Sequence, residues 1–118
     1  MRYVDGFVLP VRKNKLARYR SMAKAAAKVW LQCGALEFHE SVGDDVPFGK
    51  RTSFPRSVKL QRGETVVFSW IIYKSRSHRD RVMAKVMKDP RIEKMMKGDV
   101  PFDGKRMIFG GFKTIVDA

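Results

Sequence analysis

The segment Thr65–Tyr73 reads TVVFSWIIY, with Phe68, Trp70 and Ile72 on one side of a strand and Val67, Ile71 and Tyr73 on the other. Side chains alternate between the two faces of a sheet, so a strand that is apolar on both sides must be covered on both sides. The chain has 118 residues and 13.6 kDa, room for one domain spanning 1–118 with helices over one face and no further element for the other. A second copy of the chain, packed sheet against sheet, is the expected cover. The longest apolar stretch, Val66–Tyr73, is eight residues, whereas a membrane-spanning helix needs about 20. The N-terminus lacks the pattern of a secretory signal, and Cys33 is the only thiol, so a cytoplasmic protein that spans no membrane is expected.

Tyr3–Leu9 is rich in β-branched and aromatic residues and predicts a strand ending at Pro10. From Lys13 to Cys33 apolar residues recur every three or four positions, which predicts one long helix stopped by Gly34. Ala35–Val42 alternates and predicts a strand, and Gly43–Gly63 predicts a long loop with a short edge strand near Ser57–Leu60. After the strand at Thr65–Lys74, Ser75 or Ser77 can cap a helix over Asp80–Lys88. Asp89-Pro90 then opens a shorter helical turn to Met96, and Met107–Val116 predicts the last strand, with Gly110-Gly111 marking a bulge or a close backbone approach. The order β-α-β-β-α-β is the α+β, ferredoxin-like pattern, an antiparallel sheet with both helices on one face.

The formal net charge is +13. No acidic residue occurs between Gly6 and Leu36, a segment that carries seven basic residues, and Lys74–Lys97 carries nine basic residues against three acidic ones. The rest of the chain balances. All of the excess therefore falls on the helical segments, which predicts one strongly positive face able to attract polyanions through Lys13, Arg20, Lys24 and Lys28. The aromatic residues of the first helix, Tyr19 and Trp30, lie on its apolar stripe, so no stacking platform accompanies those cations, and sequence-specific nucleic-acid reading is not expected.

Two loops, Gly43–Arg51 and Gly98–Arg106, share Val-Pro-Phe and a closing Gly-Lys-Arg. Five residues separate the glycines of each, where a phosphate-binding P-loop has four, and arginine follows the lysine, so neither is a P-loop; both read as turns. His39, His78 and Cys33 lack the spacing of a metal site, and no cofactor motif is present. Strand carboxylates are the more interesting candidates. Asp5 shares a side with Tyr3 and Phe7, and Glu40 with Phe38 and Val42; either one, enclosed, would gain proton affinity and suit proton transfer. Met83, Met87, Met95 and Met96 at helical spacing read as core rather than pocket wall.

The strings Tyr3-Val4-Asp5-Gly6-Phe7, Thr52-Ser53-Phe54-Pro55, Val67-Phe68-Ser69-Trp70 and Pro101-Phe102-Asp103-Gly104-Lys105-Arg106-Met107, closing on Gly110-Gly111-Phe112, together resemble the YbaA-like family of small bacterial proteins of unknown function. The resemblance implies a ferredoxin-like protomer of the dimeric α+β-barrel superfamily, which includes cofactor-free monooxygenases, haem-dependent enzymes and proteins with no demonstrated activity, and it implies no catalytic residue. The resulting expectation is a homodimer holding a small, partly apolar ligand between sheet and helices. Tyr3, Phe7, Phe54, Trp70 and Tyr73 would form apolar walls, and Asp5, Ser69 and Arg106 polar anchors. Oxygenase or isomerase chemistry is the enzymatic form of this expectation, by fold analogy alone.

Overall fold

The computed structural model describes residues 1–118. Strand β1 (Tyr3–Arg12) passes through a 3-10 turn at Lys13–Lys15 into helix α1 (Leu16–Gln32), and β2 (Glu37–Val42) follows. The short helix α2 (Phe54–Ser57) lies in the long connection to β3 (Glu64–Tyr73). Helices α3 (Arg76–Lys88) and α4 (Pro90–Lys97) then lead to β4 (Ile108–Lys113). The four strands form one antiparallel sheet in the order β2-β3-β1-β4, the ferredoxin-like arrangement in which β1 and β3 are central.

Local chemistry explains the element ends. Gly34 at φ 116° ends α1 in the left-handed region that glycine adopts freely. The Ser75 hydroxyl accepts from the His78 N–H and starts α3; the Asp89 carboxylate accepts from the Arg91 N–H and starts α4, with Pro90 at its first position. Contrary to the sequence reading, β1 runs through Pro10, which pairs with Val66. The pairing with β4 ends at Val8, and Pro10 turns its missing donor toward that vacated edge, so no ladder bond is lost. The predicted edge strand near Ser57–Leu60 is absent: the Ser53 hydroxyl accepts from the Arg56 N–H and caps α2 instead.

Register places Tyr3, Asp5, Phe7, Leu9 and Val11 of β1 and Val67, Ser69, Ile71 and Tyr73 of β3 on the same face, beneath α1, α3 and α4. Two apolar clusters fill this layer. One gathers Tyr3, Val29, Ile71, Tyr73, Val82, Val86 and Ile92, and the other Leu9, Val11, Tyr19, Ala23 and Val67. The opposite face is only partly covered. The Gly43–Gly63 connection folds over one end of it and buries Val8, Val58 and Val66. That cover is an element the sequence reading had not supplied. Beyond it Phe68, Ile108 and Phe112 are exposed, with Val4, Trp70 and Ile72 half-buried.

The expected bulge at Gly110-Gly111 does not form, since the β1–β4 register is continuous from Tyr3↔Lys113 to Val8↔Ile108. What comes close is a side chain: a Cβ at Gly111 would lie 2.7 Å from Cε2 of Tyr3.

Candidate functional site

Between the sheet and the helices lies a cavity of about 270 Å³, lined by 19 residues of which 17 are hydrophobic. Six of the seven methionines (Met22, Met83, Met87, Met95, Met96 and Met107) reach it. Those of α3 and α4 are therefore pocket wall rather than closed core, and Met87 and Met96 remain largely exposed at its rim. Unbranched thioether side chains make such a wall adaptable in shape. The floor is Phe7, Leu9, Ser69 and Ile71, because these positions alternate onto the helix side of β1 and β3. Trp30 packs against Phe38 at one side, ring centroids 5.8 Å apart, with its indole N–H buried and unpaired.

The polar contribution comes from Glu40 and Tyr19. Glu40 sits on the edge strand β2, opposite Ser69, and its Oε1 accepts a 2.6 Å hydrogen bond from the Tyr19 hydroxyl of α1. Glu40 is an exposed residue, but partial withdrawal of its carboxyl from water beside Tyr19 raises it above its usual range against the opposing effect of that bond, and burial beside Glu40 raises the Tyr19 hydroxyl further still. Tyr19, Ala23, Phe38 and Glu40 also line an open groove of about 400 Å³ between α1 and β2, bordered by Arg20 and Lys24. The Glu40–Tyr19 pair thus forms part of the wall shared by an outer groove with a cationic rim and an inner apolar chamber.

Of the residues the sequence nominated, Phe7 and Ser69 line this chamber. Tyr3, Asp5 and Tyr73 do not; they lie together under α3, where Arg79 Nη1 donates to Asp5 Oδ1 at 2.7 Å and the guanidinium covers the Tyr3 ring at 5.0 Å. Burial raises the Asp5 carboxyl, opposed by Tyr73 and Arg79, and burial beside Asp5 raises the Tyr73 hydroxyl. This cluster is packed, with Tyr73 fully buried and Asp5 5 % exposed. Trp70 and Phe54 are on the wrong side of the sheet for the chamber. Trp70 alternates onto the open face, where it stacks on His39 at 4.8 Å, and Phe54 packs on Phe68 of that same face.

Arg106 is held elsewhere too. Its guanidinium donates to Glu64 Oε1 and Oε2 at 2.8 and 2.6 Å, to Asp103 Oδ2 at 2.8 Å and to the Lys59 carbonyl at 2.9 Å, tying three segments together. Those bonds hold the Glu64 and Asp103 carboxyls below their usual range. Sequence reasoning passed over Met22 and Met107 as wall residues and the Glu40–Tyr19 contact. The signal for the contact was the coincidence of Tyr19 on the inward stripe of α1 with Glu40 on the inward side of β2. No group of three or more His, Cys, Asp or Glu side chains gathers to hold a metal ion, and no helix is long and apolar enough to cross a membrane. Arg20, Lys24 and Lys28 are exposed on α1 and Lys13 on the turn before it.

Among solved structures, the fold is similar to a putative antibiotic biosynthesis monooxygenase from Nitrosomonas europaea, with TM-score 0.65, 11% identity, and 97% and 90% of the two chains covered. It is also similar to an uncharacterized NIPSNAP domain protein from Burkholderia xenovorans, with TM-score 0.63, 14% identity and 98% and 97% coverage. A mutant of SnoaB, a cofactor-independent oxygenase from Streptomyces nogalater, aligns at TM-score 0.61 and 10% identity over 98% and 95%. At these identities the likeness is one of fold. In sequence, the chain is 49% identical over 117 residues to the uncharacterized protein YbaA of Escherichia coli K12, covering 99% of each, and equally so to that of Shigella flexneri. The family model described as a protein of unknown function, DUF1428, matches residues 2–104, so with this likeness along nearly its whole length the chain belongs to the DUF1428 family.

Proposed function

We propose that this protein binds a small, partly apolar ligand in the methionine-lined chamber, with the Glu40–Tyr19 pair as its polar contact, and that it works as a cytoplasmic homodimer. The observation that carries the reading is the chamber itself: a cavity walled almost wholly by apolar side chains with one hydrogen-bonded polar pair in its wall. That combination is what small-molecule sites present. In its enzymatic form Glu40, with its raised proton affinity, takes a proton from a bound substrate, and the Tyr19 hydroxyl stays hydrogen-bonded to the carboxyl it faces. The oxygenases among the structures of similar fold are compatible with that form.

The homodimer is supported by surface. One chain exposes 8314 Å², where a compact monomer of this mass exposes about 6,600 Å². Its radius of gyration is 14.8 Å against about 13.5 Å for a compact chain of this length. The excess includes the open sheet face with Phe68, Ile108 and Phe112, the kind of apolar patch that monomers rarely carry.

Calorimetric titration with 1-naphthol tests the chamber. One site per chain is expected, lost in Ala26→Phe, whose ring would occupy the cavity that Ala26 lines. A folded A26F protein that binds 1-naphthol as the wild type does would place the compound outside the chamber and refute the proposal.

A further inference from the structure

Two of the cations on α1 border the ligand site. Arg20 and Lys24 are one helical turn apart and line the outer groove together with Leu16, Ala23 and Ala27 of the same helix. No acidic side chain occurs on α1 or on the turn before it, and neither cation is in an ion pair, while Arg18 on the neighbouring stripe is paired with Asp99. The groove and the chamber adjoin across Tyr19, Ala23, Phe38 and Glu40, so a molecule that displaces the Glu40–Tyr19 contact would have one end beside two unpaired cations and the other among methionine side chains. Resting on the proposed chamber, we infer that the ligand is an amphipathic carboxylate: its anionic head held by Arg20 and Lys24 in the outer groove beside the Glu40–Tyr19 pair, its apolar chain extending past that pair into the cavity. The cations of the basic face then have a local task, an ion pair with a small ligand at the groove. A neutral apolar ligand would leave them unused, and a cationic one would be repelled. Glu40 is the one acidic group lining the groove and opposes an anion there.

The test is a set of calorimetric titrations with butanoate, hexanoate, octanoate and 1-octanol. Affinity is expected to rise about fourfold per added methylene as the chain enters the cavity. Octanoate is expected to bind about tenfold more tightly than 1-octanol at low salt, the effect of two solvent-facing charge contacts. Arg20→Gln/Lys24→Gln, at two exposed helix positions, removes that advantage and leaves 1-octanol unchanged, and Glu40→Gln strengthens octanoate. If octanoate and 1-octanol bind equally well, or if R20Q/K24Q leaves octanoate unaffected, the carboxylate assignment is overturned and the chamber stands. If affinity responds to the head group but not to chain length, the cations pair with anions at the surface alone and the inference also falls. If none of the four compounds binds while 1-naphthol does, the carboxylate assignment falls and the chamber stands; if 1-naphthol fails as well, the chamber reading fails with it.

Discussion

Asp5 and Glu40 are both carboxylates on the helix-facing side of the sheet, and their neighbours send them to different ends. Asp5 is enclosed on the central strand and meets Arg79 at 2.7 Å, a paired ion in packed surroundings whose loss of either partner would leave a buried charge uncompensated. Glu40, on an edge strand, meets only the Tyr19 hydroxyl. The residue is exposed overall, but its carboxyl is turned in against Tyr19 and partly withdrawn from water with little compensation, which raises it, so the folded state holds the Glu40 proton more tightly than the unfolded chain does. Below the unfolded value, about 4.3, both states are protonated and no stability is lost. As pH rises through the higher folded value the penalty for ionising Glu40 becomes complete. Glu40→Gln keeps the acceptor for Tyr19 and removes the charge, and it should melt at a higher temperature than the wild type at pH 8, with the gap closing toward pH 4. An equal gap at both pH values in thermal unfolding would contradict this account of Glu40.

The elements are set by alternation and capping, and the sites where that logic was incomplete are informative. The sheet order, the long first helix and the break at Asp89-Pro90 follow from periodicity and from turn residues that act within a few positions. The path of Pro10 was not readable in the same way, because its tolerance depends on where β4 stops pairing. Gly111 is similar. Its lack of a side chain is required by Tyr3, on the neighbouring strand β1 and at the other end of the chain, which leans across β4 toward Arg79. Gly111→Ala should cost about 1–3 kcal/mol because the Tyr3 ring must move. Tyr3→Leu in the same chain should recover part of that loss, a coupling that denaturant unfolding of the two single variants and the double variant measures directly. Strictly additive effects would show that the Tyr3–Gly111 contact is not what makes the glycine necessary.

At the scale of the molecule, the doubly apolar strand β3 remains the decisive feature. Its helix side is buried and its other side is covered at one end by the Gly43–Gly63 connection, which leaves Phe68 exposed and Trp70 and Ile72 half-buried on the face where the proposed second copy would pack. Sedimentation should return twice the 13.6 kDa chain mass, reduced to the single-chain value by Trp70→Glu/Phe112→Glu. Wild-type protein that sediments as one chain would remove the dimer. The candidate site was only half legible beforehand. Phe7 and Ser69 could be placed by strand alternation, but whether a tyrosine or tryptophan faced chamber, packed cluster or open face depended on which side of the sheet the helices took. The methionines misled for a related reason, since helical spacing shows that a stripe faces inward and says nothing of whether the space it faces is filled.

That filling is open to direct measurement. In protein labelled at the methionine methyl carbons, titration with 1-naphthol should shift the resonances of Met22, Met83, Met87, Met95, Met96 and Met107 and leave Met1 in place, because those six line the chamber and Met1 does not. Saturation with no movement of the six, or movement at Met1 and the open sheet face alone, would contradict the chamber as the binding site.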